Sequence, residues 1–271
     1  MNGIEQVIAS IARAAAPVRN PEDYKQDGLL YCGKCRTPKQ CIADFDGVKI
    51  TVGCTCKCEQ DAIRADLEYR KKQERMMRAR ELRVQGIQDS AVRRYTFAAA
   101  EKSQNIQRCQ KYAERWDDML KHNNGLLFWG NIGTGKTFAA ACIANAVIDK
   151  GTPALMTSFP KILNAGWDKT ELTEEMKHFP LLIIDDLGVE RESGYSLEIV
   201  QFVVDERYKT GKPLIVTTNL TLGELQHPKD MRFSRIYDRV LEMCVPVYFD
   251  GPSRREKNRE GKMRYAREVF G

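Results

Sequence analysis

Residues 130–137 read Gly-Asn-Ile-Gly-Thr-Gly-Lys-Thr, and this run constrains the fold more than any other part of the chain. A hydrophobic run over residues 125–129 leads into it, and a helical pattern over residues 138–149 follows. This strand–loop–helix setting is the one that a phosphate-binding loop requires, because glycine backbones and a helix N-terminus surround phosphates with N–H groups. The residues predicted to contact a nucleoside triphosphate are Gly130, Asn131, Ile132, Gly133, Thr134, Gly135, Lys136 and Thr137.

Residues that bind Mg²⁺ or take part in phosphate transfer are expected at the end of this loop and in a second segment further along the chain. Lys136 would place a cation on the β- and γ-phosphates, and the Thr137 hydroxyl would bind Mg²⁺. In residues 181–188, four apolar residues precede Asp185 and Asp186, as in a central parallel strand that ends at a nucleotide site. We expect Asp185 to hold the Mg²⁺ ion and Asp186 to orient or deprotonate the attacking water.

Two later segments carry polar residues that fit the same kind of site. An apolar strand pattern ends at Asn219, which can hydrogen-bond the γ-phosphate or the attacking water, although asparagine at a strand end is often only a turn former. A further helical pattern puts Arg235 and Arg239 one turn apart on one face. Either arginine could instead be an ordinary surface cation that pairs with Asp238 or Glu242.

Composition sets the broad class of protein. With 271 residues, 42% hydrophobic and 30% charged, the chain is long enough for one α/β domain and a smaller appendage. Its net charge of +6 leans towards a polyanionic partner, although enzymes with no nucleic-acid role reach similar values. No run approaches membrane-spanning length, and the first twenty residues lack the features of a signal peptide. We therefore expect a cytoplasmic protein whose cysteines are thiols or metal ligands.

Six of the nine cysteines fall between positions 32 and 58. A Cys-x-x-Cys turn, followed by a second group of cysteines that returns from a hairpin, is the arrangement of a structural zinc site. The segment has too few apolar residues to fold without a metal, so zinc would contribute to its folding free energy. The predicted zinc ligands are Cys32, Cys35, Cys56 and Cys58, with Cys54 as the substitute and Cys41 as a bystander. An iron–sulfur cluster and unliganded thiols are the alternatives.

A charged connection lies between the cysteine-rich segment and the phosphate loop. Residues 59–88 alternate basic and acidic side chains with few glycines or prolines, which predicts a long solvated helix. After it, Tyr95 and Phe97 alternate in a short extended segment. The predicted domains are an N-terminal helix and zinc module at 1–58, a charged helical linker at 59–92 and an ATPase domain with a short basic tail at 93–271.

In their order, these motifs resemble those of the DnaC/DnaI-type replicative helicase loaders, a clade of AAA+ ATPases that also includes the IstB transposition proteins. The motifs are the phosphate loop, Leu181–Gly188, Thr217-Thr-Asn219-Leu220, Arg235-Ile-Tyr-Asp-Arg239 and Gly251-Pro-Ser-Arg-Arg255. The resemblance covers roughly residues 93–256, and the cysteine-bearing module before them is also similar to that of DnaI-type loaders. It implies an α/β fold, namely an AAA+ P-loop NTPase domain with a parallel sheet flanked by helices and a reduced lid.

The resemblance also implies roles for individual residues. Asn219 is similar to the first sensor, and Arg239 to the arginine finger that reaches a neighbouring subunit's γ-phosphate. Arg255 is similar to the second sensor, with Arg254 as a close competitor. Two features depart from the family pattern. The second acid is Asp186 where many AAA+ ATPases carry glutamate, and the short basic tail leaves no room for a full helical lid.

The function implied is ATP-dependent loading of a hexameric replicative DNA helicase onto single-stranded DNA when replication begins, with ATP, Mg²⁺ and Zn²⁺ as cofactors. The expected partners are that helicase, single-stranded DNA and further copies of the chain, joined through the arginine finger. The first alternative is an IstB-like ATPase that acts on duplex DNA to activate a transposase. The others are a small-molecule kinase and a nucleic-acid-binding zinc protein whose ATP site only regulates oligomerisation.

Overall fold

The computed structural model describes residues 20–45, 47–166, 168–188 and 194–271. The helix predicted at the N-terminus, before the cysteines, lies outside them. The chain divides into two compact units, one up to residue 74 and one from residue 75, and one long helix runs across the division. Within the described ranges, no helix is both long and apolar enough to cross a membrane.

The first unit consists of two short antiparallel hairpins and the beginning of the long helix. Its elements are β1 (Tyr24–Gln26), β2 (Leu29–Tyr31), β3 (Gln40–Phe45), β4 (Val48–Gly53) and α1 (Lys57–Gly86). The β1–β2 turn passes through Asp27 and Gly28, which both have positive φ, as a two-residue hairpin turn requires. α1 is the long charged helix expected in this part of the chain, and most of its side chains are exposed.

The second unit is built on a five-stranded parallel sheet with the strand order β6-β7-β8-β5-β9. Its strands are β5 (Gly125–Gly130), β6 (Ala154–Ser158), β7 (Leu181–Leu187), β8 (Leu214–Thr218) and β9 (Cys244–Phe249). The inner strands β7 and β8 begin with apolar runs, residues 181–184 and 214–216, because helices cover both faces of the sheet. The predicted parallel sheet flanked by helices is confirmed.

The helices of this unit form two layers. They are α2 (Gln104–Glu114), α3 (Trp116–Lys121), α4 (Lys136–Asp149), α5 (Phe159–Ala165), α6 (Lys169–His178), α7 (Gly194–Thr210), α8 (Leu222–Gln226), α9 (Ser234–Met243) and α10 (Arg254–Phe270). One hydrophobic core joins the sheet to α2, α4 and the end of α1. A second core joins the opposite face to α5, α7 and α9. The carboxyl ends of β5, β7 and β8 therefore meet at one edge, between the two layers.

The short extended segment predicted at Tyr95 and Phe97 is confirmed only for Tyr95 and Thr96, whose backbones are extended. Two 3₁₀ turns, Val92–Arg94 and Phe97–Ala99, flank these two residues, so Phe97 itself lies in a turn. The aromatic side chains alternate because both pack against the first core, where the Tyr95 ring lies 4.9 Å from the ring of Phe138, measured between centroids. The alternation thus reflects burial beside α4 and not the pairing of a strand.

Candidate functional site

The phosphate loop joins β5 to α4 in a backbone shape that its glycines allow. Gly130, Gly133 and Gly135 have φ values of 126°, 82° and 98°. A Cβ on Gly133 would lie 2.3 Å from the Ser253 hydroxyl, so a larger residue would collide with the segment before α10. From that segment the Arg254 backbone N–H donates a hydrogen bond to the Gly133 carbonyl over 2.9 Å. The loop is therefore held between its own helix and the start of the tail.

Lys136 is the first residue of α4 and is nearly buried, with 5% of its surface exposed. Its ammonium donates to the carbonyl oxygens of Gly130 over 2.8 Å and of Asn131 over 2.7 Å. Burial lowers the pKa of Lys136, although the carboxylates of Asp186 and Asp185 oppose this effect. The ammonium lies in the loop, where phosphate oxygens would meet it.

A cavity of about 630 Å³ lies beside the loop, a volume that suits a nucleotide-sized ligand. It brings together eight residues expected from the sequence: Ile132, Gly133, Gly135, Lys136, Thr137, Asp186, Asn219 and Arg255. Four further lining residues were not expected: Tyr95, Ala99, Glu101 and Phe138. Three of these come from the segment before α2, and only the folded chain brings that segment against the loop.

The two carboxylates at the end of β7 have different surroundings. Asp185 is half-buried, and its Oδ1 accepts a hydrogen bond from the Thr217 hydroxyl over 2.6 Å. Burial raises the pKa of Asp185, whereas hydrogen bonds from Thr217 and Thr137 lower it. Asp186 lines the cavity and has a positive φ of 57°. The contact between Asp185 and Thr137 joins the two residues expected to bind Mg²⁺, and oxygen ligands of this kind suit that ion.

The remaining wall of the cavity includes Asn219 and two adjacent arginines. Asn219 directly follows β8. Arg254 and Arg255 both line the cavity, and the Arg254 guanidinium lies 3.5 Å from the point that a Cβ on Gly135 would occupy. Arg254 therefore lies beside the phosphate loop, as a second sensor would. Because both arginines line the cavity, the match of Arg255 to the family motif does not decide which of the two is the sensor.

Arg235 and Arg239 lie on α9 and pair with Asp205 of α7. The partners expected on their own helix, Asp238 and Glu242, were wrong, because α9 packs against α7 and brings the Asp205 carboxylate within reach. The Arg235 side chain is 62% exposed and 3.5 Å from that carboxylate, whereas the Arg239 side chain is only 19% exposed. Neither arginine lines the cavity as the described residues define it.

Four cysteines of the first unit meet at one point. The Sγ atoms of Cys32, Cys35, Cys56 and Cys58 all lie within 4.8 Å of one another. Cys58 Sγ is 3.6 Å from that of Cys32 and 3.3 Å from that of Cys56. Thiolates bound tetrahedrally at about 2.3 Å from zinc would be about 3.8 Å apart, so the cluster has the size that zinc needs. The Thr37 hydroxyl, 3.1 Å from Cys35 Sγ, and backbone hydrogen bonds from Cys58 and Thr37 lower the pKa of that thiol, which favours a thiolate ligand.

The surroundings of the cluster separate it from the other cysteines. The Cys54 thiol donates to the Pro38 carbonyl over 3.5 Å, and Cys41 is exposed, so both lie outside the group of four. Beside the group, the Lys39 ammonium forms an ion pair with Asp23 at 2.7 Å, and both side chains are almost fully buried. Hydrogen bonds from Asn20 N–H and Lys39 lower the pKa of Asp23. This buried pair fixes the turn on which the first two cysteines lie.

Comparison with known proteins gives matches over most of the chain. A family model described as "IstB-like ATP binding protein" matches residues 59–262. The replicative helicase loader DnaC of Escherichia coli (strain K12) is 28% identical over 213 residues, which are 73% of this chain and 84% of that protein. The replicative helicase loader DnaI of Bacillus subtilis (strain 168) is 23% identical over 209 residues, which are 71% of this chain and 67% of that protein.

Among solved structures, the crystal structure of DnaI superposes with a TM-score of 0.51 and 22% sequence identity, over 61% of this chain and 93% of that one. This likeness supports the fold alone. The family match includes the phosphate loop, the two carboxylates of β7, Asn219 and the two arginines at the start of α10. The chain therefore belongs to the family of IstB-like ATP binding proteins.

Proposed function

We propose that this protein is an ATP-hydrolysing loader that delivers a hexameric replicative DNA helicase onto single-stranded DNA. The observation that carries the proposal is one cavity lined by Lys136, Thr137, Asp186 and Asn219, in a chain of the IstB-like family. Two relatives named as replicative helicase loaders support loading over other uses of a phosphate loop. The cysteine cluster adds support, because DnaI-type loaders resemble this chain in carrying such a module before the ATPase domain.

In this proposal the residues of the cavity divide the work of hydrolysis. Lys136 would exchange the loop carbonyls for the β- and γ-phosphates, and Thr137 and Asp185 would hold Mg²⁺, which would neutralise charge on the phosphate oxygens. Asp186 orients or deprotonates the attacking water. Asn219 hydrogen-bonds that water or the γ-phosphate. The arginines at the start of α10 then act on the phosphate of the same subunit.

Hydrolysis would depend on assembly, because Arg239 would complete the site of a neighbouring copy. Its guanidinium pairs with Asp205 and lies 5.3 Å from the centroid of the Tyr208 ring, so the neighbour's γ-phosphate must compete with both contacts. We expect Arg239→Ala to lower DNA-stimulated phosphate release about 10³-fold, and Arg235→Ala to keep most of it. The reverse result would move the finger to Arg235, and full activity in both variants would exclude a finger on α9.

In this proposal each of the two units binds one partner, the helicase or the single-stranded DNA. The cysteine cluster would hold zinc, and its module would grip the helicase. The ATPase domain would contact the phosphates of single-stranded DNA through basic side chains, which makes binding strongly salt-dependent and weakly sequence-specific. Helix α10 supplies a dense set of such side chains: Arg254, Arg255, Arg259, Lys262, Arg264 and Arg267.

A loading assay on closed circular single-stranded DNA tests this function. The circle carries an annealed oligonucleotide, and a ring-shaped helicase can enclose it only if the ring is opened or assembled there. We expect oligonucleotide release by the organism's own helicase to require this protein, Mg²⁺ and ATP, and to be lost with the Lys136→Ala variant. Equal release by the helicase alone, or no release in the complete mixture, would exclude the loading function.

An IstB-like ATPase that acts on duplex DNA is the second candidate, because the matching family carries that name. Chemical reactivity of unpaired bases in duplex DNA separates the two functions. ATP-dependent distortion of the duplex would favour the transposition function, and an undistorted duplex would favour the loader. Transfer of the γ-phosphate to a small acceptor, instead of its release as free phosphate, would favour a kinase over both.

A further inference from the structure

Near its end, β7 contains one residue more than the part of β8 that it faces. In the ladder between β7 and β8, two residues, Asp185 and Asp186, lie opposite the single residue Thr217. This arrangement is a β-bulge, which bends the strand and leaves a backbone group without its partner in the ladder. Asp186 takes up the extra length with its φ of 57°, in the left-handed region that residues other than glycine rarely adopt.

Thr217 replaces the hydrogen bond that the bulge removes. Its Oγ1 accepts a hydrogen bond from the backbone N–H of Asp186 over 3.0 Å and donates its own proton to Asp185 Oδ1 over 2.6 Å. Both bonds involve one hydroxyl, so its rotation is fixed and the two aspartates are tied to the same atom. Thr217 has no exposed surface, so water cannot take over either bond.

The two bonds explain why this position carries threonine. The other residues at the start of β8, Leu214, Ile215 and Val216, are aliphatic and buried. Valine has nearly the shape of threonine and an equal preference for strands. A buried hydroxyl costs free energy unless it is hydrogen-bonded, so packing alone would favour valine here.

We propose that Thr217 is a positioning residue for ATP hydrolysis, an inference that rests on the proposed hydrolytic activity. Its hydroxyl holds the backbone of Asp186 in the left-handed conformation and the side chain of Asp185 in one direction. In a regular strand, successive side chains point to opposite faces, whereas here both carboxylates serve the nucleotide edge. The same geometry accounts for aspartate at position 186, because aspartate is enriched in the left-handed region and glutamate is not.

Three variants test the proposal through steady-state phosphate release. Thr217→Val removes the hydroxyl, and Thr217→Ser keeps it. As a control, Thr157→Val removes the hydroxyl of another buried threonine of the sheet. We expect Thr217→Val to lower kcat at least about tenfold and to leave the KM for Mg-ATP within about threefold, because the reacting groups are displaced while binding persists. Thr217→Ser should restore kcat to within about threefold, and Thr157→Val should leave it unchanged.

Amide hydrogen exchange of the nucleotide-free protein gives a readout that does not depend on activity. The peptide that contains Asp186 should exchange faster in Thr217→Val than in the wild type, because its N–H has lost its acceptor. Thr217→Ser should exchange at the wild-type rate, and so should Thr157→Val.

Wild-type kcat and wild-type exchange in Thr217→Val would overturn the proposal. So would a fall in kcat that Thr217→Ser does not reverse or that Thr157→Val reproduces, since the hydroxyl would then not be the cause. Absence of phosphate release by the wild-type protein under every condition is a different result. It would count against the proposed hydrolytic activity, and unchanged exchange in Thr217→Val would still refute the bond to Asp186.

Discussion

The two aspartates at the nucleotide edge, Asp185 and Asp186, have the same side chain but different contacts. Asp185 is half-buried and hydrogen-bonded by the hydroxyls of Thr217 and Thr137, which suits a fixed metal ligand. Asp186 lines the open cavity on a left-handed backbone, which suits a group that must meet a water molecule. Two identical side chains can therefore be tested for two separate tasks.

Mg²⁺-dependent ATP binding should weaken with falling pH sooner than an exposed aspartate would allow. Burial raises the pKa of Asp185 above its ordinary value of 3.8, and the protonated form cannot bind Mg²⁺. The affinity is therefore complete above the raised pKa and is lost as the pH falls through it. Titration with a fluorescent ATP analogue, with and without Mg²⁺, from about pH 8 to about pH 5 measures the effect. Asp185→Asn should lack the Mg²⁺-dependent part, and a pH-independent wild type would contradict the assignment.

Asp186→Asn should abolish hydrolysis without harming the fold. Asparagine adopts the left-handed backbone as readily as aspartate, so the free energy of unfolding should stay within about 0.5 kcal/mol of the wild type. The loss of a general base should lower kcat by about 10²-fold or more. Asp186→Val is the control for the backbone, since a β-branched residue at this φ should cost about 1–2 kcal/mol of stability. Urea unfolding and phosphate release measure both effects, and an active Asp186→Asn would remove the catalytic role.

At the scale of elements, one buried cation fixes where two strands of the nucleotide edge begin. Arg207 of α7 has no exposed surface and donates to the carbonyls of Phe179, Pro180 and Pro213, over 2.9, 2.6 and 2.5 Å. These carbonyls directly precede β7 and β8. Burial lowers the pKa of Arg207 to about 9, which still leaves it charged near neutral pH. The register of the two strands that carry the carboxylates and Asn219 thus depends on a side chain from the opposite end of the sheet.

Arg207→Met should therefore destabilise the second unit strongly. The substitution keeps an apolar stem but leaves three carbonyl groups with fewer donors, at a cost of about 3 kcal/mol in the free energy of unfolding. Lys209→Met on the same helix is the control, because the Lys209 side chain is 68% exposed and should change stability by less than about 0.5 kcal/mol. Urea unfolding of both variants measures the difference. Equal stabilities would contradict the structural role of Arg207.

Features that depend on neighbouring residues could be predicted from the sequence, whereas contacts between residues that are distant in sequence could not. The helix around Arg235 and Arg239 and the strands that lead to Asp186 and Asn219 were predicted, because apolar runs and helical periodicity are properties of neighbouring residues. The four cysteines also came from local spacing. The pairing of α9 with α7, the burial of Arg207 and the bonds of the bulge at Asp186 were not predicted, since their partners are distant in sequence. For the same reason the two 3₁₀ turns beside Tyr95 and Thr96 were not predicted.

At the scale of the whole molecule, helix α1 begins in the first unit, beside the cysteine cluster, and ends in the second unit. Cys58 lies in the first turn of α1, and Gly86 ends it at a place where a Cβ would be 1.8 Å from the Ala154 carbonyl oxygen. Close to that end, Arg83 donates to Asn145 of α4 over 3.0 Å. Because α4 begins at the phosphate loop, the end of α1 lies beside the helix that follows that loop, within the second unit.

Removal of the metal should separate the two tasks of the chain. We expect about one zinc ion per chain, bound by the four clustered thiolates, and its removal should unfold the first unit because the metal supplies much of the folding free energy there. Helicase binding should be lost, while the affinity for Mg-ATP stays within about twofold because the nucleotide cavity lies in the second unit.

Serine variants test this without a chelator. Cys58→Ser should bind less zinc and no helicase, whereas Cys41→Ser, outside the cluster, should behave as the wild type. Zinc content, helicase capture and nucleotide titration supply the three measurements. Helicase binding that survives complete zinc removal would contradict the docking role of this module.

The helicase-loading function is tested most directly by the mass of the complex that this protein forms with the hexameric replicative helicase of its own organism. Size-exclusion chromatography with light scattering gives that mass in Mg²⁺-ATP and in ADP. We expect a stable complex whose amount or composition changes between the two nucleotides. Separate elution of the two proteins in both nucleotides would contradict it, and duplex DNA with a transposase would become the partners to test.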